Sequence, residues 1–227
     1  MAQGGTVISV DRNFATPPVG QGIVVELTAP DMPDVITAAC TATPGPLQGV
    51  IHCAGISATG AFADIPIPAQ NQVMQVNLTA PIRLTNALIT SGHITDNTRL
   101  CFVASLSCYV GYPGAAAYAG SKDGMRSYAA SLHKARVARS VTTAYPGPLR
   151  TDHASRYAPD NSDAAVARRM APDQAAQIIY TDTISGRRRS LPGMGAKLAA
   201  VAGTLAPGVM GRLMRAALFE KLTDVRI

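Results

Sequence analysis

Short apolar runs alternate along the chain with longer amphipathic stretches, which reads as strands and helices in turn. The β-branched run at residues 6–10 predicts a strand ending at Asp11, and Ile23 to Leu27 predicts a second. Residues 33–43 read as a helix closed by Pro44-Gly45-Pro46. A third strand at 47–53 is followed by Ala54-Gly55. After a polar, Gly-rich loop, a helix runs from Gln70 through Asn77 towards Ile89. Leu100–Ala104 is a fourth strand, and residues 115–137 form a long helix with Met125, Tyr128 and Leu132 on a repeating face. Val141–Ala144 is a fifth strand, stopped by Pro146-Gly147. Residues 148–170 read as a polar loop of weak helical character. Pro172–Ile184 is a helix with Asp173 in its first turn. Residues 187–191 are a last strand, and two apolar-basic helices follow from Met194, broken at Pro207-Gly208.

Strands alternating with helices predict an α/β fold with a parallel sheet covered on both faces. Neither a linker nor a repeat interrupts it, so the expectation is one domain over 1–227, with a core at 1–186 and a tail at 187–227. The chain has 227 residues, 47% of them hydrophobic, enough for a substantial core. Aromatics are few and Trp is absent, which argues against a base-stacking surface and hence against nucleic acid. The net charge of +6 is uneven. Residues 1–113 carry 3 Lys/Arg against 6 Asp/Glu, and residues 114–227 carry 17 against 8. A basic C-terminal half suits either an anionic partner or a solvated face. Cys40, Cys53, Cys101 and Cys108 form no CxxC pair and no His-linked set, so buried free thiols and no metal are expected. The N-terminus lacks the pattern of a secretory signal, and no apolar run reaches the length of a membrane span. A reducing cytoplasm is the expected compartment.

The candidate chemistry sits between Arg99 and Lys122. The fourth strand delivers Ser105, and Tyr118 and Lys122 stand four residues apart, about one helical turn, on one face of the long helix. A phenol is a poor acid–base catalyst at neutral pH, and an ammonium one turn away favours the phenolate. A hydroxyl beside them can hydrogen-bond an oxygen on which charge develops.

With its partners the set resembles the short-chain dehydrogenase/reductase family. Ser105 precedes Tyr118 by thirteen residues, and Asn77 stands on the preceding helix. His52-Cys53-Ala54-Gly55 stands where the family has Asn-Asn-Ala-Gly, and Pro146-Gly147-Pro148-Leu149-Arg150-Thr151 matches its Pro-Gly-x-x-x-Thr, all in family order over about residues 6–192. The resemblance implies a Rossmann-like, doubly wound parallel sheet in three layers, N-terminally incomplete. It implies Asn77, Ser105, Tyr118 and Lys122 as the catalytic set. Tyr118 is then the acid/base, Lys122 also binds the nicotinamide ribose, and Asn77 kinks its helix and holds a relay water. Cofactor contacts would come from Asp11, Ala54, Gly55, Tyr118, Lys122, Pro146, Gly147 and Thr151. Asp11, at a strand end, favours NAD over NADP by accepting ribose hydroxyls, while Arg12 next to it can receive a phosphate.

The family's glycine-rich phosphate turn does not appear between a strand and a helix. Counting back from Asp11, a first strand, a turn and a helix would precede Gly5, and the expectation is a chain begun at an internal methionine. The first strand would lie centrally, leaving unpaired edges. In the tail, Leu198, Val201, Leu205, Val209, Leu213 and Leu218 recur at near-helical spacing. An apolar substrate lid or dimer contact is one reading, and a basic amphipathic pair on an anionic membrane is the other. Two functions compete: an NAD(P)-dependent oxidoreductase acting on a hydroxyl/carbonyl small molecule, as a homodimer or homotetramer, and a non-catalytic relative that binds a ligand or partner.

Overall fold

A computed structural model describes residues 5–157, 161–222 and 224–227. In chain order the elements are β1 (Ile8–Asp11), β2 (Gln21–Val24), α1 (Met32–Thr41), β3 (Gly49–His52) and α2 (Ile67–Met74). A π-helical turn (Gln75–Thr79) leads into α3 (Ala80–Thr90), followed by β4 (Arg99–Val103), α4 (Ser107–Val110), α5 (Ala116–Ala135) and β5 (Ser140–Ala144). Then come α6 (Asp152–Tyr157), α7 (Asp163–Ala167), α8 (Pro172–Ile184), β6 (Arg189–Ser190), α9 (Met194–Leu205), α10 (Pro207–Ala217) and a 3₁₀ turn (Phe219–Lys221).

All named strands pair in parallel, but they form two sheets: β1-β2, and β3-β4-β5-β6. No strand pairs with the outer side of β3 among the described residues. The two sheets share one apolar core. Met32, Ile36 and Cys40 of α1, Leu88 of α3, and Met125 and Ala129 of α5 bury against Leu100, Phe102 and Val141, and Ile8 and Val10 of β1 pack onto the same cluster. Alternation along the strand sends Cys101 to the other face, where it meets Ala144 and Ile179 of α8. Helices α1, α3 and α5, the strands, and α8 therefore make three layers. In the β3–β4 register Ile51 faces the same way as Cys101, yet it is 49% exposed, on the open-edged strand.

Local chemistry sets the element ends. Prolines open α1, α8 and α10, where a missing N–H is harmless. Helix α5 stops at Arg136, which adopts the left-handed conformation (φ 56°). Residues 152–157 and 163–167, within the stretch expected to be loop, are two short helices. Cys40 and Cys101 are buried free thiols as expected, but Cys53 is exposed. No helix among the described residues is long and apolar enough to cross a membrane.

Candidate active site

The C-terminal ends of β4 and β5 form the floor of the site. Leu100, Cys101 and Phe102 are fully buried, which fixes β4 in the sheet, and the Ala104 N–H still donates to Ala144 O (2.8 Å). Ser105 comes next, where the chain leaves the sheet. Its Oγ accepts from the Ser107 N–H (3.1 Å) at the start of α4, and the Leu106 N–H donates to Pro146 O (3.1 Å). The two loops that carry Ser105 and Pro146-Gly147 are thus tied together.

Helix α5 brings Tyr118 and Lys122 over this floor. Lys122 is 3% exposed, and its Nζ donates to Val103 O (2.8 Å) while lying 5.9 Å from the Tyr118 ring centroid. The π-helical turn contains Asn77, which is fully buried. A π turn offsets the side chains that follow it and bends the helix, in keeping with the expected kink. Asn77 Nδ2 donates to Ile56 O (2.8 Å) and to Ser121 Oγ (3.0 Å), and its Oδ1 accepts from the Ile56 N–H (2.8 Å). Ser121 Oγ in turn donates to Tyr118 O (2.7 Å). Asn77 therefore clamps the loop after β3 to the turn of α5 that carries Tyr118 and Ser121. Gly55 sits in that clamp: a Cβ there would lie 3.1 Å from Lys122 Nζ and 3.4 Å from Asn77 Oδ1.

Burial dominates the electrostatics. It pushes the Tyr118 phenol above its ordinary value, and a hydrogen bond from Ser105 pulls it part of the way back. Lys122 is lowered to about 8 by burial. The sequence suggested that Lys122 would depress the phenol. Instead the ammonium is turned onto Val103 O, and desolvation leaves Tyr118 protonated.

Three neighbours escaped sequence reading. The Tyr112 ring meets Tyr118 edge-on at 6.0 Å, His153 lies 6.5 Å from Tyr118, and Tyr157 lies 4.9 Å from His153. Burial, then Lys122 and Arg156, hold His153 below the usual imidazole range. Its place two residues after Thr151, just beyond the Pro-Gly loop, was the available signal. His52, by contrast, is a core residue: it stacks on Phe102 at 4.8 Å, bonds Thr85 Oγ1 through Nε2 (2.9 Å), and is lowered to about 4 by burial.

The remaining cofactor candidates lie at the ends of elements. Asp11 ends β1, where its Oδ1 accepts from the Asn13 N–H (3.2 Å). Ala54 is exposed after β3, and Thr151 Oγ1 caps α6 through the Ala154 N–H (3.1 Å). A small cavity of about 140 Å³ adjoins the clamp, lined in part by Arg12, Ile56, Ser57, Gln72, Arg156 and Tyr157. The Ser57 hydroxyl is buried with no partner among the described residues. For a nicotinamide dinucleotide, the clamp at Gly55, the Lys122 amine and this donor-lined cavity fit the nicotinamide-ribose half. Among the described residues no strand–glycine turn–helix unit stands ready for the pyrophosphate.

The tail does not close over the cleft with its apolar stripe. Helix α9 packs on α4 by Ala196, Ala200 and Gly203, while Leu198, Val201, Leu205, Val209 and Leu213 stay exposed. The last residues reach the cleft loops instead. Phe219 stacks on Phe62 at 5.4 Å, and Arg226 pairs with Thr59 in an antiparallel bridge (2.8 and 2.9 Å).

Comparison with known proteins agrees with this geometry. A family model described as short chain dehydrogenase matches residues 19–162. A 3-dehydrosphinganine reductase from Danio rerio is 28% identical over 63% of this chain and 45% of its own length. A 3-oxoacyl-[acyl-carrier-protein] reductase from Vibrio cholerae is 25% identical over 66% of this chain and 62% of its own. The chain thus spans about half the length of the first of these relatives. In fold it is similar to a short-chain dehydrogenase from Streptomyces avermitilis, with a TM-score of 0.73, 22% identity, and coverage of 98% of this chain and 90% of that one. A short chain dehydrogenase from Burkholderia cenocepacia, solved with NADP, gives a TM-score of 0.69 at 18% identity, covering 94% of this chain and 86% of that one.

Proposed function

Because this chain belongs to the short-chain dehydrogenase/reductase family, we propose that it is an NAD(P)-dependent oxidoreductase interconverting a hydroxyl and a carbonyl on an apolar small molecule. The observation that carries this reading is the convergence of Ser105, Tyr118, Lys122 and Asn77 at the ends of β4 and β5. The cofactor, when bound, supplies or accepts the hydride. The chain's own part is to hold the substrate oxygen and to move one proton. In the reducing direction Ser105 Oγ hydrogen-bonds the carbonyl oxygen, and the Tyr118 hydroxyl gives its proton to the alkoxide as that forms. The raised phenol is protonated at neutral pH, the state a donor needs. Lys122, at about 8, exchanges protons near neutrality and can restore the phenol. Asn77 is a positioning residue that acts through Ile56 and Ser121.

An apolar ketone or alcohol is supported by the aromatic wall of Tyr112, Tyr118 and Tyr157 and by the names of the sphingoid and oxoacyl reductases. We read Asp11 as favouring NAD. Arg12, next to it in the chain, can receive a 2′-phosphate, so Asp11→Ser should shift preference towards NADPH. The test is a spectrophotometric panel of ketones with NADH and NADPH. Tyr118→Phe should abolish turnover while the fold is kept, and unchanged turnover refutes the mechanism.

The second reading, a non-catalytic binding protein, is favoured by the absence of a pyrophosphate turn among the described residues. Calorimetric titration with NADH separates the two, since low-micromolar binding rejects it. The exposed stripe on α9 and α10 supports a contact with a second copy over a lid, which light scattering would test.

A further inference from the structure

A cavity of about 570 Å³ is lined by none of the residues of the candidate active site. It lies between α5, the β5–β6 edge and α9. The β5–β6 register sets Arg189 beside Thr143, on the face that Val141 turns to the α5 side. Helix α5 contributes Arg126, Ala130 and His133, spaced by four and three residues on one side of the helix. Ala129 and Ala130 leave the space open because neither fills it. On the third side, Gly203 lets α9 come down onto the Tyr109 backbone, where a Cβ would overlap the carbonyl. Tyr109 and Tyr145 meet edge-on at 4.9 Å and supply an aromatic wall. Thr143, Thr204 and Ser127 add hydroxyls.

The charge on this cavity has one sign. Arg126, Arg188 and Arg189 line it, and no carboxylate does. Arg126 is partly neutralised by Asp123 (2.9 Å), but Arg188 and Arg189 have no carboxylate within salt-bridge distance among the described residues. Arginine forks match phosphate oxygens two at a time, and the volume falls in the range of small-molecule sites. From Arg187 to Phe219 the sequence has no Asp or Glu, and the nearby Asp182 is engaged by Arg187 (3.2 Å) and the Ser190 hydroxyl (2.7 Å).

We propose that this cavity binds a phosphate ester: the phosphate on Arg188, Arg189 and Arg126, and the organic body against Tyr109 and Tyr145. The site is separate from the catalytic cleft and does not depend on the reading of that cleft. The phosphate could belong to a soluble metabolite or to a lipid headgroup, since Thr204 on the rim adjoins the exposed Leu205.

Phenyl phosphate titrated into the full chain by calorimetry, without and with saturating NADH, tests the proposal. Binding is expected in both conditions. Arg188→Gln/Arg189→Gln should weaken it by roughly tenfold or more, because charge-assisted contacts to the phosphate are lost. Both residues are exposed, and an unchanged melting temperature shows that the variant is folded. Flotation with phosphatidylcholine vesicles carrying phosphatidic acid identifies the source. Binding that the same variant loses points to a headgroup, and phenyl phosphate binding without flotation points to a soluble ester. No binding of either probe, equal binding by the variant, or displacement of phenyl phosphate by NADH overturns the proposal.

Discussion

Replacing Lys122 with Met should stabilise the fold while removing activity. The ammonium is almost wholly buried, and its pKa falls from 10.5 to about 8. Each pH unit of displacement is worth about 1.4 kcal/mol, so keeping this amine protonated in the fold costs about 3 kcal/mol at pH 7. Met fills a similar volume without charge. It also gives up the Nζ–Val103 O bond, which offsets about 1–2 kcal/mol of the gain. The net expectation is a gain of about 1–2 kcal/mol, or roughly 3–6 °C in melting temperature for a chain of this size. The pH dependence is distinctive. Below about 8 both folded and unfolded wild-type chains carry the proton, and the penalty is complete. Between about 8 and 10.5 the unfolded chain binds more protons than the folded one, so wild-type stability rises with pH and the advantage of Lys122→Met disappears. Circular dichroism melts of both proteins at pH 7 and pH 10.5 measure this. A variant that melts below wild type at pH 7, or that keeps the same advantage at both pH values, refutes the reasoning.

Two further outcomes follow from buried polar groups. Asn77→Leu removes three hydrogen bonds of about 1 kcal/mol each, so urea unfolding should show a loss of about 3 kcal/mol, with turnover falling as the Ile56 loop loosens. His52 is neutral in the fold down to about 4, whereas the unfolded chain takes up its proton from about 6.5 downward. Stability should therefore drop by about 3 kcal/mol between those pH values, and His52→Gln should flatten the acid limb of the melting curve.

Sequence reading was strongest where one residue type decides local structure. The α8 boundaries follow from Pro172 at the first helical position, and the Tyr118–Lys122 alignment follows from one helical turn. Helix α4 is not legible in the sequence because four residues cannot show a period, and its form depends on Ser105 Oγ receiving the Ser107 N–H. Where Lys122 points was not legible, since that depends on Val103 O, nineteen residues away in sequence. The Tyr112–His153–Tyr157 cluster was equally hidden, because its members join only when α6 folds against the loop before α5. The open cavity at α9 arises from Gly203 and two alanines, residues that carry no chemistry of their own.

The division of the strands into two sheets bears on how the molecule opens. β1-β2 is joined to the larger sheet through shared side-chain packing, with no interstrand hydrogen bond between them. Of its eight residues only Ile23 is buried. Such a unit should exchange its amide hydrogens well before β4 and β5, whose inward residues are sealed. Asp11 and Arg12, which we propose bear on dinucleotide choice, sit at the end of this loosely held pair. Any ligand gripped by them meets only the fraction of molecules in which the pair is docked, and its apparent affinity falls by that fraction. The order of this two-strand ribbon would then tune how tightly a dinucleotide is held, and leave the ratio between NAD and NADP to the charges it carries.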